Sequence, residues 1–204
     1  MPELPEVEVT RLGLKPLLNL NVGRVIIRNY SLRWPINTAL PKLLKNQTLL
    51  DLNRRGKYIL AKFTSGTLII HLGMSGRLCI VSSGEALNKH DHVDFQFKEN
   101  NLTLRYRDPR RFGSILWTEG DPHSHKLIKN LGPEPLNEEF DAKYLFIRLK
   151  NKKQCIKNAI MDSHIVVGVG NIYASEALHD SGIRPDRISR KVSMKEIGSL
   201  VKSI

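Results

Sequence analysis

The sequence contains little cysteine: only Cys79 and Cys155 occur among its 204 residues. These two cysteines form no metal-ligand pattern and no disulfide framework, which excludes a cysteine-rich secreted scaffold. The chain also lacks an uninterrupted apolar run of the ~18 residues that a membrane span requires. Its acidic start contains neither the basic segment nor the apolar segment of a signal peptide. These absences predict a cytoplasmic protein with no metal site and no place in a membrane.

Acidic residues are scarce relative to basic ones. The 20 Asp and Glu residues against 32 Lys and Arg residues give a formal net charge of +12. Such an excess predicts a polyanionic partner, with nucleic acid as the first candidate and an anionic membrane surface as the second. The hydrophobic content of 41% and the absence of low-complexity tracts predict a globular fold.

The first 120 residues have the pattern of a β-rich domain. A helix is expected from Pro5 to about Leu18, and a short one over residues 39–45. Alternating apolar and polar residues, separated by Gly, Asn, Ser or Asp-Pro, predict eight strands. The predicted strands cover residues 24–28, 49–52, 58–63, 67–71, 77–81, 92–97, 102–106 and 114–117. Short strands at this spacing predict an antiparallel sandwich.

The remainder of the chain has a helical pattern. A linker is expected over residues 121–132, followed by a domain over residues 133–204 with helices near 145–148, 156–161, 172–178 and 194–204. Ser193 and Glu196 match a capping box at the start of the last helix. The fold class is therefore α+β. No stop signal follows the last helix, so the chain is expected to end inside it.

The N-terminal segment Pro2-Glu-Leu-Pro-Glu-Val-Glu8 offers a nucleophile. Removal of Met1 would leave Pro2 with a free secondary amine, and α-amines have pKa values near 7.7–8.0, so part of the amine is neutral at neutral pH. Such an amine can form a charged iminium with a carbonyl-like carbon, with Glu3 beside it as an acid. A simple helix start is the alternative, because it explains Pro5, Glu6 and Glu8.

Two further motifs combine glycine with functional side chains. In Arg54-Arg-Gly-Lys-Tyr58, the cations either protect an edge strand or contact phosphate, with Lys57 held near the N-terminal amine. In His71-Leu-Gly-Met-Ser-Gly76, Met74 lies at the tip of a turn. It either packs into a nearby core or inserts as a wedge between bases.

Two motifs contain charged side chains close to predicted strands. In Lys89-His-Asp-His-Val-Asp94, the two-residue spacing predicts that His90 and His92 lie on one face of a strand, which resembles a metal cluster. No third ligand has suitable spacing, so phosphate contact by His90 or structural hydrogen bonding is favoured. The turn Arg107-Asp-Pro-Arg-Arg-Phe-Gly113 needs its Asp, Pro and Gly for ordinary hairpin chemistry. That chemistry does not require Arg110, Arg111 and Phe112, which suggest insertion into a duplex.

The predicted helical domain contributes basic residues and a glycine loop. Lys152 and Lys157 belong to a run of basic residues that forms either a solvated helix face or a phosphate track. The segment Val167-Gly-Val-Gly-Asn-Ile-Tyr173 is a glycine loop that enters a helix, whose first amides bind anions. Asn171 is the expected N-cap of that helix.

Taken in order, these motifs resemble the bacterial formamidopyrimidine-DNA glycosylase family. The segments PELPEVE, RRGKY, HLGMSG, KHDHVDF, DPRRFG, LGPEPL, MDSHIVVGVGNIYASEAL and GIRPDR carry the resemblance, which spans residues 1 to about 203. It implies an N-terminal β-sandwich and a helix-two-turn-helix domain with double-stranded DNA held between them. It also implies a monomeric, nucleoid-associated enzyme that excises 8-oxoguanine and ring-opened purines and then cuts abasic sites by β- and δ-elimination.

The resemblance also implies roles for individual residues. Pro2 would be the Schiff-base nucleophile at sugar C1′, Glu3 the proton donor, and Lys57 the general acid/base and phosphate partner. Three residues would fill the gap left by the flipped nucleotide: Met74, Arg110 and Phe112. The expected DNA contacts come from His90, Arg110, Lys152 and Asn171, with Lys157 on the phosphate track.

The family continues into a zinc finger with four cysteines, and this sequence contains no such ligand set. The chain is therefore expected to be C-terminally truncated and to carry no cofactor of its own. Two alternatives to an active glycosylase remain. The missing finger favours a DNA-binding remnant without turnover, and the charge alone would also fit a basic RNA-binding or ribosome-associated protein. The last alternative gives no reason for Pro2 and Glu3 to occur together with Lys57.

Overall fold

A computed structural model describes residues 2–204 of the chain. The chain divides into two compact units, an N-terminal unit of residues 1–125 and a C-terminal unit of residues 126–204. The division falls inside the segment 121–132 that the sequence predicts as a linker. Among the described residues, no helix is both long enough and apolar enough to cross a membrane.

The N-terminal unit contains two four-stranded antiparallel sheets. Its helices are α1 (Leu4–Gly13) and α2 (Leu40–Leu44). Its strands are β1 (Val22–Ile27), β2 (Leu49–Arg55), β3 (Tyr58–Phe63), β4 (Thr67–His71), β5 (Arg77–Ser82), β6 (Asp91–Phe97), β7 (Leu102–Arg107) and β8 (Ser114–Thr118). The strand orders are β1-β6-β7-β5 and β2-β3-β4-β8. Val25 and Phe95 of the first sheet and Ile59 and Ile70 of the second belong to one buried core, which confirms the predicted sandwich.

Helix α1 is shorter than the sequence predicts. It ends at Gly13 instead of continuing to Leu18, and a single 3₁₀ turn follows over Lys15–Leu17. Pro16 explains the early end, because proline has no amide hydrogen and its ring clashes with the carbonyl four residues earlier in an α-helix. In the 3₁₀ turn, Leu17 is fully buried in the core. Leu18, which follows the turn, is partly buried and packs against the same core.

The β2–β3 hairpin is tighter than expected, because β2 extends to Arg55. Arg55 pairs with Tyr58, which leaves Gly56 and Lys57 as a two-residue turn. Gly56 has a φ of 55°, a left-handed conformation that glycine adopts without steric cost. The RRGKY motif is therefore a hairpin turn, and Lys57 lies at its tip.

The C-terminal unit is helical. It contains α3 (Ala142–Leu149), α4 (Ile156–Ile160), α5 (Asn171–Asp180) and α6 (Met194–Ser203), with a 3₁₀ turn over Ser189–Lys191. A second apolar core joins these helices. The predicted capping box of α6 is confirmed, since the Ser193 amide donates to Glu196 Oε2 at 2.8 Å and Ser193 Oγ accepts from the Glu196 amide. The α+β fold class is likewise confirmed.

The prediction that Asn171 caps α5 is wrong. Gly170 is the N-cap, with φ −123° and ψ −160°, and Asn171 is the first helical residue. The glycine loop that ends at Gly170 lets the backbone enter the helix without a capping side chain. The Asn171 side chain is exposed.

Candidate functional site

The N-terminus of α1 forms the first part of the site. Glu3 is the N-cap and is 1% exposed; it forms a capping box with Glu6, whose Oε2 accepts from the Glu3 amide at 2.9 Å. The helix-start interpretation therefore accounts for Glu3 as well as Pro5. Pro2 precedes this cap and is half-buried. Since the cap fixes the backbone of Glu3, it also fixes the direction in which Pro2 leaves the helix.

Two arginines hold α1 against the hairpin that bears Lys57. Arg11 NH1 donates to the Leu52 carbonyl at 2.9 Å, and Arg54 Nε donates to Glu8 Oε2 at 3.2 Å. Arg54 also donates to the Gly56 carbonyl inside the turn, at 2.9 Å. Arg54 is thus part of the contact between the hairpin turn and α1.

Lys57 is half-buried and interacts electrostatically with the start of α1. Burial lowers the pKa of its ammonium group, and the negative charges of Glu3 and Glu6 oppose that shift. Glu3 and Glu6 therefore act electrostatically on Lys57, which is compatible with the predicted grouping of Lys57 with Pro2 and Glu3.

His71 is a site residue that the sequence analysis missed. It pairs with Tyr58 across β3 and β4, and the centroids of the two rings lie 4.8 Å apart. Burial lowers the pKa of His71 to about 4, with smaller contributions from the positive charges of Arg33 and Lys57. The Gly73 amide donates to His71 Nδ1 at 3.0 Å, so the neutral ring carries its proton on Nε2. The pairing of β3 with β4 is the feature that could have identified His71, because it places His71 opposite Tyr58, the residue next to Lys57.

Met74, Arg110 and Phe112 lie on two adjacent loops. We name these the Met74 turn (residues 72–76) and the Phe112 loop (residues 108–113). The Met74 and Phe112 side chains are 42% and 45% exposed, and the Arg110 guanidinium lies 4.6 Å from the centroid of the Phe112 ring. All three residues, with Arg33 and His71, line a cavity of about 730 Å³. The structure therefore groups the three predicted wedge residues at one open surface.

The prediction that His90 and His92 share one face of a strand is wrong. His90 precedes β6, and the register with β7 shifts between Asp91 and Val93. His92 Nε2 donates to the Asp108 carbonyl at 2.8 Å, so His92 has a structural role. His90 is half-exposed. Its carbonyl accepts from the Asp108 amide, and this bond places it beside the Phe112 loop.

The two aspartates of the KHDHVD segment are bound by arginines. Asp91 accepts from Arg107 at 2.6 Å, and Asp94 accepts from Arg105 at 2.9 Å and from Arg28 at 2.7 Å. Burial alone would raise the pKa of both carboxyls, but the arginines lower it. Among residues 2–204, no group of three or more His, Cys, Asp or Glu side chains is arranged to hold a metal ion.

The remaining candidate residues lie in the C-terminal unit. Lys152 is half-buried after α3, close enough to Asp162 to help lower the pKa of that carboxyl. Lys157 lies on α4 and is half-buried, and Asn171 opens α5 after Gly168, whose φ is 86°. These three residues thus belong to a loop, a short helix and a helix start that share one unit.

Two family models match the chain. Residues 1–115 match the model of the formamidopyrimidine-DNA glycosylase N-terminal domain, and residues 131–204 match that of the formamidopyrimidine-DNA glycosylase H2TH domain. The chain is 50% identical over its whole length to a formamidopyrimidine-DNA glycosylase of Methylobacillus flagellatus, of which it covers 73%. It is 52% identical to one of a Marinomonas species, of which it covers 75%.

Solved structures give the same result at lower identity. One is the Lactococcus lactis formamidopyrimidine-DNA glycosylase bound non-covalently to DNA that contains an abasic site. Its TM-score is 0.91 at 30% identity, and the match covers 98% of this chain and 78% of that one. A second complex of the Lactococcus lactis protein with abasic-site DNA also has a TM-score of 0.91, and the match covers 98% of this chain and 74% of that one.

Proposed function

The chain belongs to the formamidopyrimidine-DNA glycosylase family, and from this premise we propose that it excises oxidised purines from double-stranded DNA and cuts the resulting abasic sites. The substrates are 8-oxoguanine and ring-opened purines. The observation that carries the proposal is the electrostatic interaction of the half-buried Lys57 with Glu3, the residue that follows Pro2 in the chain. An amine, a carboxyl and a second amine form the minimum set for Schiff-base chemistry on a sugar.

Pro2 is the proposed nucleophile. Once Met1 is removed, its secondary amine attacks C1′ of the damaged nucleotide, the glycosidic bond breaks, and the base leaves. Opening of the sugar ring then gives an iminium at C1′. The iminium withdraws electrons from C2′, so a base can remove a C2′ proton while the 3′ phosphate leaves. A second elimination releases the 5′ phosphate.

Glu3 and Lys57 are the proposed proton carriers. Glu3 donates a proton as the sugar opens and the base departs. Lys57 holds the phosphate and exchanges protons during the eliminations. Its lowered pKa suits this second role, because a general acid/base works best with a pKa close to the working pH.

The two exposed loops supply the proposed DNA wedge. A base inside a duplex must leave the stack before its C1′ can be attacked, which costs a few kcal/mol. Met74, Arg110 and Phe112 offset that cost by filling the vacated space. His90, Lys152, Lys157 and Asn171 are the proposed further DNA contacts. The proposed chemistry uses only groups of the polypeptide, and we assign it no cofactor.

Reductive trapping tests the nucleophile. Incubation of the Met1-free chain with borohydride and abasic-site duplex should yield a covalent adduct, because the iminium is reducible. The matched control is the same chain with Met1 retained, which keeps every side chain but blocks the amine in a peptide bond; it should give no adduct. Pro2→Gly keeps a terminal primary amine and should trap less.

The same assay separates the alternative, a family member that binds DNA without turnover. If the Met1-free chain binds the abasic duplex and forms no adduct, Pro2 is not a working nucleophile and the binding-only function is correct. An adduct of equal yield from the Met1-retained chain would instead place the nucleophile on another amine.

A further inference from the structure

Asp108 opens the Phe112 loop, and its carboxylate is fully buried with three hydrogen-bond donors around it. Oδ1 accepts from the Ser75 hydroxyl at 2.6 Å. Oδ2 accepts from the Gly113 amide at 2.9 Å and from the Tyr106 hydroxyl at 3.1 Å. Ser75 belongs to the Met74 turn and Gly113 to the Phe112 loop, so one carboxylate connects both loops.

The backbone of Asp108 connects a third segment. Its amide donates to the His90 carbonyl at 3.1 Å, and its carbonyl accepts from His92 Nε2 at 2.8 Å. Ser75 adds a second bond between the loops, since its Oγ accepts from the Arg110 amide at 3.2 Å. Every polar group of Asp108 therefore bonds to a segment that carries a candidate DNA contact.

The two loops also pack backbone against backbone. Gly73 has a φ of +62°, and a Cβ atom there would lie 2.5 Å from the Gly113 nitrogen. A Cβ atom at Gly113 would overlap the Tyr106 hydroxyl. Glycine at both positions allows the approach that brings Ser75 and Gly113 to the same carboxylate.

We propose that Asp108 is a positioning residue that holds Met74, Arg110 and Phe112 as one preformed wedge. This inference rests on the proposed function. Side chains on two independent loops would each lose conformational freedom on entering DNA, and a shared buried anchor removes part of that cost before binding. Asp108 itself touches no DNA, because its side chain is buried beneath the loops.

A carboxylate is required at this position because all three of its neighbours are donors. Burial and the adjacent Asp108 charge raise the pKa of Tyr106, so its hydroxyl remains a donor. An asparagine has one acceptor oxygen, which can serve Gly113 and Tyr106 if its amide group faces the Ser75 hydroxyl. Asp108→Asn therefore keeps the shape but replaces the hydrogen bond from Ser75 to a buried charge with a weaker neutral one.

Ser75→Ala removes the hydrogen bond between the Met74 turn and Asp108 from the side of the Met74 turn. Because a hydrogen bond to a buried charge is lost, we expect single-turnover excision of 8-oxoguanine opposite cytosine in a duplex to fall roughly tenfold. Borohydride trapping on a single-stranded abasic site should change less than twofold, since no stack has to be filled there. The matched control is Ser83→Ala, which removes a hydroxyl bonded to Thr103 Oγ1 at 3.0 Å and should leave both assays unchanged.

A double-mutant cycle tests whether Ser75 and Asp108 act through one bond. Ser75→Ala should cost less in the Asp108→Asn background than in the parent, because the bond is already weakened there. Additive losses, or equal losses on duplex and single-stranded substrates, would overturn the positioning role. Thermal unfolding of each variant shows whether a loss comes from general destabilisation.

A measurement without substrate separates this inference from the proposed function. Asp108→Asn should increase the picosecond–nanosecond mobility of the Met74 methyl group, which lies on the other loop, in NMR relaxation. An unchanged Met74 methyl would show that the carboxylate does not connect the loops. If the parent chain excises and traps nothing, the proposed function fails, and the methyl measurement still decides whether Asp108 positions Met74.

Discussion

Lys57 and His71 are two ionisable side chains whose pKa values burial lowers within one site. The two shifts are linked, because the positive charge of Lys57 also disfavours protonation of His71. Lys57 keeps partial compensation from Glu3 and Glu6, whereas the causes that act on His71 all lower its pKa. At neutral pH, His71 is therefore an uncharged ring with an Nε2–H donor that lines the cavity next to the wedge residues.

The half-buried His71 predicts acid sensitivity of the N-terminal unit. Its pKa is about 4 in the folded chain and near 6.5 in an unfolded one. Above pH 6.5 both states are neutral and the group contributes nothing. As the pH falls towards 4, His71 becomes protonated in the unfolded state before it does so in the folded state. The free energy of unfolding therefore decreases by ~3 kcal/mol. His71→Asn should lose this dependence, because the amide does not titrate.

Urea unfolding at pH 7 and pH 4, followed by tryptophan fluorescence, measures the effect. Trp34 and Trp117 are the two tryptophans of the chain, and both lie in the N-terminal unit. Relative to the parent, His71→Asn should gain about 3 kcal/mol between the two pH values. His123→Asn alters an exposed histidine and should follow the parent. Parallel behaviour of parent and His71→Asn would contradict the lowered pKa.

At the scale of elements, a capping box opens both the helix that carries Glu3 and the last helix of the chain. In α6, Glu196 also pairs with Arg187, and its hydrogen bonds from Ser193 lower its pKa to about 2. The box holds together the 3₁₀ turn, the cap and the first turn of α6. The Ser193 hydroxyl therefore contributes to the stability of the start of this helix.

Ser193→Ala should destabilise the C-terminal unit by about 1 kcal/mol, the usual cost of losing a serine N-cap. Urea unfolding followed by circular dichroism at 222 nm measures the change, since most helical residues lie in this unit. The control is Ser175→Ala on α5, whose hydroxyl bonds only the Asn171 carbonyl one turn back and should matter little. A Ser193→Ala midpoint equal to that of the parent would show that Glu196 and Arg187 suffice.

The strands were the most predictable elements. The predicted bounds of β3 and β4 agree with the structure, because alternating side chains and turn residues specify both the period and the ends. The end of α1 was mispredicted because the apolar pattern continues through Pro16 in a 3₁₀ turn. Asn171 was mispredicted because a glycine can cap a helix without a side chain.

The candidate site was predictable only where a residue has no ordinary structural explanation. Pro2 and Lys57 stand out because a helix start and a hairpin turn do not need them. His71 and Asp108 do not stand out, because a strand histidine and a turn aspartate have ordinary explanations. Their importance arises from the neighbours that strand pairing and loop packing bring to them, and a reading of each motif by itself does not show those neighbours.

At the scale of the whole molecule, the net charge of +12 predicts how DNA binding responds to salt. Basic candidate contacts occur in both units, including Arg110 in the first and Lys152 in the second, and each phosphate contact releases condensed counterions. About six such contacts give a slope near −5 for log Kobs against log salt.

Lys152→Gln should make that slope shallower by about one and weaken all duplex sequences alike, because a phosphate contact carries no sequence information. Lys202→Gln makes the same charge change on α6, outside the predicted contacts, and should leave the slope unchanged within error. Fluorescence anisotropy of two unrelated duplexes between about 50 and 200 mM salt provides the measurement. If both variants shift the slope equally, net charge alone governs binding and Lys152 contacts no phosphate. If the parent slope is near zero, the contacts with DNA are not electrostatic.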